Sequence, residues 1–535
     1  MRGVRGYARW WDAAIGSLLL LTVLTRLPFR SHVPINWDAV QYILSLQRFD
    51  IAAHQPHPPG NPLYVVLGRG AHVLLPDPNQ ALIALSILAS VVVVWGTARL
   101  GARLADRRVG LWAAGLVAVN PLLWFYGETA LPYAPEAAAG TLLALAAWHA
   151  RVRPSRSAAV WLGLAAALAG GLRPTVLPLL GLVWLFGLGA MSWRRRALAA
   201  GVTALGCLAW AVPLIVLSGG PLAYWTQLRR LTQAAVEPTS LLSGPSLRWL
   251  GNLGSVGAAA VVMLHLFAVV VVVALVRQRG GLCWWPLSLR AQVLWAWLVP
   301  PLLMFTLVHF GQWGYLLLVL PPATILGLLA LARAGMLAGR AGAARLGAAA
   351  LAGALIFLAT PPLGPAGVQF APTRSDLVAH DAAWATVVRL VAVLPPSETL
   401  VLTSADGRES YRIASYLLPG YEVWGVGRDW SGNWGSLYEA VDGHADYALD
   451  PLRYAHGLVR VANVKYIVVL DKSLVARVPD PTAWERLELP NGAPLLVRSM
   501  APVPAYLSFA DREIRILTGS ALRAPVNADA EGRQQ

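Results

Sequence analysis

Apolar residues run along this chain in blocks of about 15–25, separated by short polar stretches, the length at which a helix crosses a bilayer. Taken in order, the blocks predict helices over 11–28, 81–99, 109–125 and 136–150. Two short passes follow within 158–192, turning at Gly171-Leu172-Arg173-Pro174, although this pair could instead be re-entrant. Further helices are predicted over 197–217, 253–276, 291–308, 315–332 and 346–362. Residues 62–75 form a shorter apolar block, read as a helix lying along the outer membrane surface, and 218–250 form an external loop. Arginine clusters punctuate the blocks: Arg99 to Arg108, Arg151 to Arg156, Arg194 to Arg196, Arg277 to Arg290 and Arg333 to Arg345. A count of eleven passes puts all of them on one side, together with Arg2, Arg5 and Arg9, so the N-terminus is read as cytoplasmic.

Beyond residue 365 the pattern changes. Of 27 acidic residues, 19 lie past this point, and apolar runs shrink to strand length at Thr399–Ser404, Glu422–Val426 and Val464–Leu470. Helical stretches over 376–393 and 408–417 alternate with them, which predicts a small α/β domain with a mainly parallel sheet. The expected fold is therefore a polytopic α-helical membrane protein with about 11 transmembrane helices and a C-terminal extracytoplasmic α/β domain. Its parts are a membrane domain over 1–362, the α/β domain over 363–520, read as accessory, and a disordered tail over 521–535.

Composition agrees with this reading. A chain with 57% apolar and 13% charged residues is too apolar to be soluble. Its net charge of +16 resides in topology-setting arginines and does not mark a nucleic-acid binder. Cys207 and Cys283, the two cysteines, give neither a disulfide framework nor metal spacing. The basic N-terminal flank has no convincing cleavage site after it, so the first helix is read as uncleaved.

Candidate chemistry concentrates between the first two blocks, from Asn36 to Tyr64. This stretch holds Asp38, Asp50, His54 and His57, and prolines at 56, 58, 59 and 62 that predict a rigid, non-helical turn. Eight acids precede residue 365: Asp12, Asp38, Asp50, Asp77, Asp106, Glu128, Glu136 and Glu237. Six map to the outer side, where carboxylates near hydrocarbon need a partner or a task. A sugar-transferring enzyme needs a carboxylate to deprotonate an acceptor hydroxyl, and cations or neutral donors to hold a departing phosphate. Asp38 as base, Glu128 as second acid, and His57, Arg173 and His309 on the phosphate side meet both needs at one membrane face. Structural alternatives stand beside these roles. Asp38 could cap a helix beginning near Ala39, Glu128 and Glu136 could favour the first turn of the helix that follows them, and His57 could brace the proline turn.

Several motifs resemble the GT-C-type membrane glycosyltransferases that use polyprenyl-phosphate sugars, among them the protein O-mannosyltransferases and the lipid A aminoarabinose transferases. They are Trp37-Asp38-Ala39-Val40-Gln41-Tyr42 and, about twenty residues later, His57-Pro58-Pro59-Gly60-Asn61-Pro62. Weaker likeness runs through Tyr126 to Tyr133, Gly171 to Pro174 and Gly311-Gln312-Trp313-Gly314-Tyr315, so it covers residues 1–360 in order. The nearest pattern is a prokaryotic, mannosyltransferase-like branch. The resemblance implies inverting transfer from a lipid-phosphate sugar to an acceptor hydroxyl or amine, with Asp38 as base and Glu128 as the second loop acid. Gln41, His57, Tyr133, Arg173, His309 and Gln312 are then the candidate substrate-binding residues. Two departures bear on donor and acceptor identity: Asp38-Ala39 stands where the eukaryotic enzymes have Asp-Glu, and the turn lacks their lysine.

The partners so implied are a lipid-linked sugar donor and a protein, lipid or glycan acceptor at a cell-envelope inner membrane. No metal is required by the sequence, though two loop carboxylates could share a divalent cation with phosphate. The rival reading is a transporter or flippase of a lipid-linked sugar. Such proteins place ionisable residues near mid-membrane and often carry inverted repeats, whereas the acids here gather at one face without an internal repeat. A scaffold would need far fewer spans.

Overall fold

The computed structural model describes residues 2–244, 247–277, 288–359, 372–392, 394–404, 411–428, 434–441, 444–445, 466–470, 485–488, 494–497, 506–509 and 512–515. The chain opens with α1 (Arg2–Arg26), α2 (Trp37–Gln47), α3 (Pro62–Leu74), α4 (Pro78–Leu104), α5 (Arg107–Ala118) and α6 (Pro121–Tyr126). Next come α7 (Tyr133–Val152), α8 (Arg156–Leu172), α9 (Val176–Leu179), α10 (Gly181–Leu188), α11 (Trp193–Leu217) and α12 (Pro221–Leu231). The series closes with α13 (Trp249–Arg277), α14 (Leu289–Leu307), α15 (Leu320–Arg333), α16 (Gly339–Ala359), α17 (Arg374–Val391) and α18 (Tyr411–Leu417). Six of these are long and apolar enough to cross a membrane: Trp10–Phe29, Pro78–Leu104, Trp193–Leu217, Trp249–Val276, Leu289–Leu307 and Gly339–Ala359. Two shorter apolar helices, Arg156–Leu172 and Leu320–Arg333, add to them, and the protein is a multi-pass membrane protein.

Local chemistry explains where the helices stop. The block read as one helix over 109–125 is broken before Pro121, which has no N–H to donate. Asn120 turns there, accepting from the backbone N of Leu122 and Leu123. The second pass within 158–192 is likewise split into α9 and α10, after Arg173 leaves helical geometry ahead of Pro174. Among the described residues of the stretch 218–250 are α12 and several shorter helical turns. Within α13, His265 departs from helical geometry (φ 34°, ψ −131°), and Asn120 Nδ2 donates to Met263 O at 2.7 Å beside this kink. Close helix contacts use small residues. A Cβ added to Gly110 on α5 would stand 2.4 Å from Ala98 O on α4, so only glycine allows this approach.

Two compact units divide the chain: Met1–His32 with Tyr42–Val378, and Val33–Gln41 with Ala379–Gln535. The second contains β1 (Thr399–Ser404), β2 (Glu422–Arg428), β3 (Trp434–Val441), β4 (His444–Ala445) and β5 (Tyr466–Val469). Their order is β4-β3-β2-β1-β5. β1 runs parallel to both β2 and β5, while β3 returns antiparallel to β2. The sheet is thus mixed where the sequence predicted mainly parallel pairing, because run length reveals a strand but not its partner's direction. Leu400, Val401, Leu402, Ile413, Ala414, Val423 and Trp424 form its buried core. Residues 521–535 lie outside the described residues.

Candidate active site

Backbone constraints set the proline turn. Asp50 and Gln55 exchange backbone hydrogen bonds at 2.6 and 2.7 Å. The Asp50 carboxylate accepts from Ala52 N and Ala53 N and pairs with Arg48 at 2.6 Å. That acid is therefore spent on closing the turn. The peptide bonds Gln55–Pro56 and Pro58–Pro59 are cis, and His54, Gly60 and Asn61 have positive φ. A Cβ on Gly60 would meet Leu214 Cδ1 at 2.6 Å, and Tyr224 Oη donates to Pro59 O at 3.1 Å. The turn presents His57 to Tyr42 (ring centroids 5.4 Å), and Tyr42 meets Tyr64 edge-on at 5.1 Å.

Arg173 forms the centre of a polar cluster. Its Nη1 donates to both carboxylate oxygens of Glu136, each at 3.3 Å, and Nη2 donates to Tyr315 Oη at 2.8 Å. The guanidinium lies 4.5 Å from the Tyr315 ring centroid, an arrangement that also favours the cation electrostatically. Tyr315 contacts Tyr133, Phe305, Phe310 and His309, with centroids 5.5, 5.4, 5.9 and 6.4 Å away. His309 places Nδ1 3.3 Å from Thr239 Oγ1. Burial, reinforced by the charge of Arg173, holds its pKa below the usual imidazole value. Gly314 lets the strand of chain pass Tyr133, since a Cβ there would stand 2.2 Å from the ring. Gln312 immediately precedes the 3-10 turn Trp313–Leu318.

Glu136, not Glu128, is the acid paired with Arg173. The sequence assigned Glu136 little beyond a helix-start role. Glu128 sits in the loop between α6 and α7, fully buried, with its backbone O accepting from Ser31 N at 3.0 Å. Burial raises its pKa well above the usual carboxylate value, opposed by the charge of Arg26, a hydrogen bond from the Trp124 side chain and the charge of Arg374. Arg26 is itself buried against the Trp124 ring (4.9 Å) and donates to Ala118 O at 2.5 Å.

Asp38 and Gln41 belong to the second unit. Asp38 is half-buried in the first turn of α2, and Gln41 is buried one turn later. The cap of α2 is Asn36, whose Oδ1 accepts from Ala39 N at 3.0 Å. Asp38 is thus not used as that helix's cap. Among the described residues, no group of three or more His, Cys, Asp or Glu side chains is arranged to hold a metal ion.

No protein-family model matches the chain, and no curated protein matches it. Solved structures do. ArnT from Cupriavidus metallidurans bound to undecaprenyl phosphate superposes with a TM-score of 0.55 at 12% identity, covering 92% of this chain and 98% of that one. Its apo state gives 0.54 with the same identity and coverage. The Archaeoglobus fulgidus oligosaccharyltransferase tethered with an acceptor peptide gives 0.49 at 12% identity, over 95% of this chain and 76% of that one. At such identity the likeness is one of fold alone: the chain shares the fold of ArnT.

Proposed function

We propose that the protein is a membrane glycosyltransferase that moves a sugar from a polyprenyl-phosphate donor to an acceptor hydroxyl or amine at the outer face of the membrane. The observation that carries this reading is Arg173, a guanidinium braced by Glu136 and Tyr315 inside a wall of aromatic rings. Such a cation suits the departing phosphate, because its charge is fixed before the bond breaks and is little screened by water. The ArnT structure of the same fold, bound to undecaprenyl phosphate, supports a lipid-phosphate donor. In this reading His57, Tyr133, His309 and Gln312 line the donor side, and Gln41 contacts substrate near Asp38. Asp38 is the base, removing the acceptor's proton as its oxygen or nitrogen attacks the sugar from the face opposite the phosphate, which inverts the anomeric centre.

The proposal includes eleven passes, a cytoplasmic N-terminus and an extracytoplasmic C-terminal unit in an inner membrane. Its test is transfer from purified polyprenyl-phosphate sugars by the full-length protein, with Asp38→Asn beside wild type. Loss of transfer with unchanged donor binding is expected. Transfer by Asp38→Asn at the wild-type rate rules out that carboxylate as the base.

A further inference from the structure

The segment carrying Asp38 is held by side chains from the far end of the sequence. Val33 N donates to Asp381 Oδ1 at 3.0 Å, and His380, itself buried, places Nε2 3.0 Å from Pro34 O. Trp37 is gripped harder. The Tyr411 ring meets it edge-on with centroids 4.8 Å apart, and the Arg412 guanidinium lies 5.2 Å from its ring centroid.

Tyr411 and Arg412 open α18, which connects β1 to β2, and neither has any solvent exposure. Their place is fixed by the sheet beneath. Gly425 on β2 lacks the side chain that would collide with Tyr411, since a Cβ there would stand 2.6 Å from Tyr411 Cβ. A cation kept away from water over an indole face is attracted more strongly than one at a surface. Because α2 begins at Trp37, fixing this ring fixes the direction of the first turn, in which Asp38 is the next residue.

We propose that the C-terminal unit is a working part of the transfer reaction, in which Tyr411 and Arg412 clamp Trp37 and thereby hold the Asp38 carboxylate in its reactive orientation. This rests on Asp38 acting as the base. Arg412, Tyr411 and Trp37 are positioning residues, and the unit predicted from sequence as accessory becomes necessary for turnover. A base displaced by about 1 Å loses on the order of 100-fold in rate.

The test uses the full-length protein in lipid nanodiscs, with kcat and donor KM measured for each variant. Trp37→Ala and Arg412→Ala should each lower kcat by about 10–100-fold with donor KM within about twofold of wild type. The double variant should be no worse than the poorer single, because both break one clamp. Trp37→Phe and Arg412→Lys keep a ring and a charge and should recover most of the loss, staying about 3–10-fold below wild type because the stacking geometry is altered. Should an alanine variant fail to fold, these two carry the test, read at unchanged melting temperature. Wild-type kcat in all the clamp variants beside an inactive Asp38→Asn overturns the clamp and leaves the base in place. An active Asp38→Asn overturns the base, and the clamp's purpose with it.

Discussion

Removing one partner of the Arg173–Glu136 pair should damage the fold more than removing both. Side-chain exposure is 16% for Arg173 and 5% for Glu136, so neither charge has much water to return to. At 3.3 Å, and with the effective dielectric that suits protein sites, the attraction is about 5 kcal/mol. Desolvation of the two ions takes back a similar amount, so the intact pair contributes little net stability. Glu136→Gln leaves the guanidinium buried without its counter-charge and should cost about 3–5 kcal/mol. Arg173→Gln strands the carboxylate at comparable cost. The double variant Glu136→Leu with Arg173→Met removes both charges and loses chiefly the bond to Tyr315 Oη, about 1 kcal/mol. Melting temperatures of the purified proteins should therefore fall sharply for each single variant and recover in the double. Transfer should behave differently: the double, although folded, should lose about 10²–10³-fold in rate, because the phosphate has lost its cation. A Glu136→Gln protein as stable as wild type, or a double variant whose losses simply add, would refute the argument. A stable double variant with normal transfer would remove Arg173 from the proposed donor site.

Two further predictions concern pH, and a third concerns packing. The His309 pKa is held below its usual 6.5, so its stability contribution is complete above that value and is lost as pH falls through the lowered one. Wild type should lose melting temperature on acidification below pH 6.5, and His309→Gln should lose less, with superimposable curves as the contrary result. Glu128 has the opposite sign. Its pKa is raised above the usual 4.5, so its contribution is present at acid pH and is lost as pH rises through the raised value. Glu128→Gln should thus gain stability relative to wild type as pH rises above the usual carboxylate value. A relative loss there would mean the carboxylate is ionised and paired with Arg26. Gly314→Ala should force Tyr133 aside at a cost of about 1–3 kcal/mol and raise the donor KM, as read from melting temperature and transfer kinetics.

The apolar blocks made the helical part of the fold legible, because in a membrane the length and hydropathy of a segment largely determine what it can become. Interruptions at Asn120-Pro121 and Arg173-Pro174 were also readable in principle, since both depend on the missing proline N–H. The pairing of acids was not. Glu128 and Glu136 stand eight residues apart beside one loop, and nothing local distinguishes the one that pairs with Arg173 from the one that is buried without it. The selection is made by where α8 ends and where α1 packs. In the same way, Trp37 reads as a membrane-interface residue until Tyr411 and Arg412, more than 370 positions later, are seen against it. Long-range contact of this kind leaves no local periodicity for the sequence to display.

The acids of the first 365 residues can now be sorted by what occupies them. Asp77 caps α4 and Asp106 caps α5. Asp50 closes the proline turn, Asp12 lies 3.7 Å from Arg99 at an exposed surface, and Glu237 opens a 3-10 turn. Each of these placements gives the carboxylate a task in folding or leaves it in water. Glu136 is committed to Arg173, and Glu128 is buried where a proton is favoured over a charge. A general base must be ionised and reachable by solvent or substrate. Asp38 alone among the eight is half-exposed in the first turn of a helix whose cap is supplied by another residue. Transfer by the Asp38→Asn enzyme decides between a catalytic and a structural role for this carboxylate.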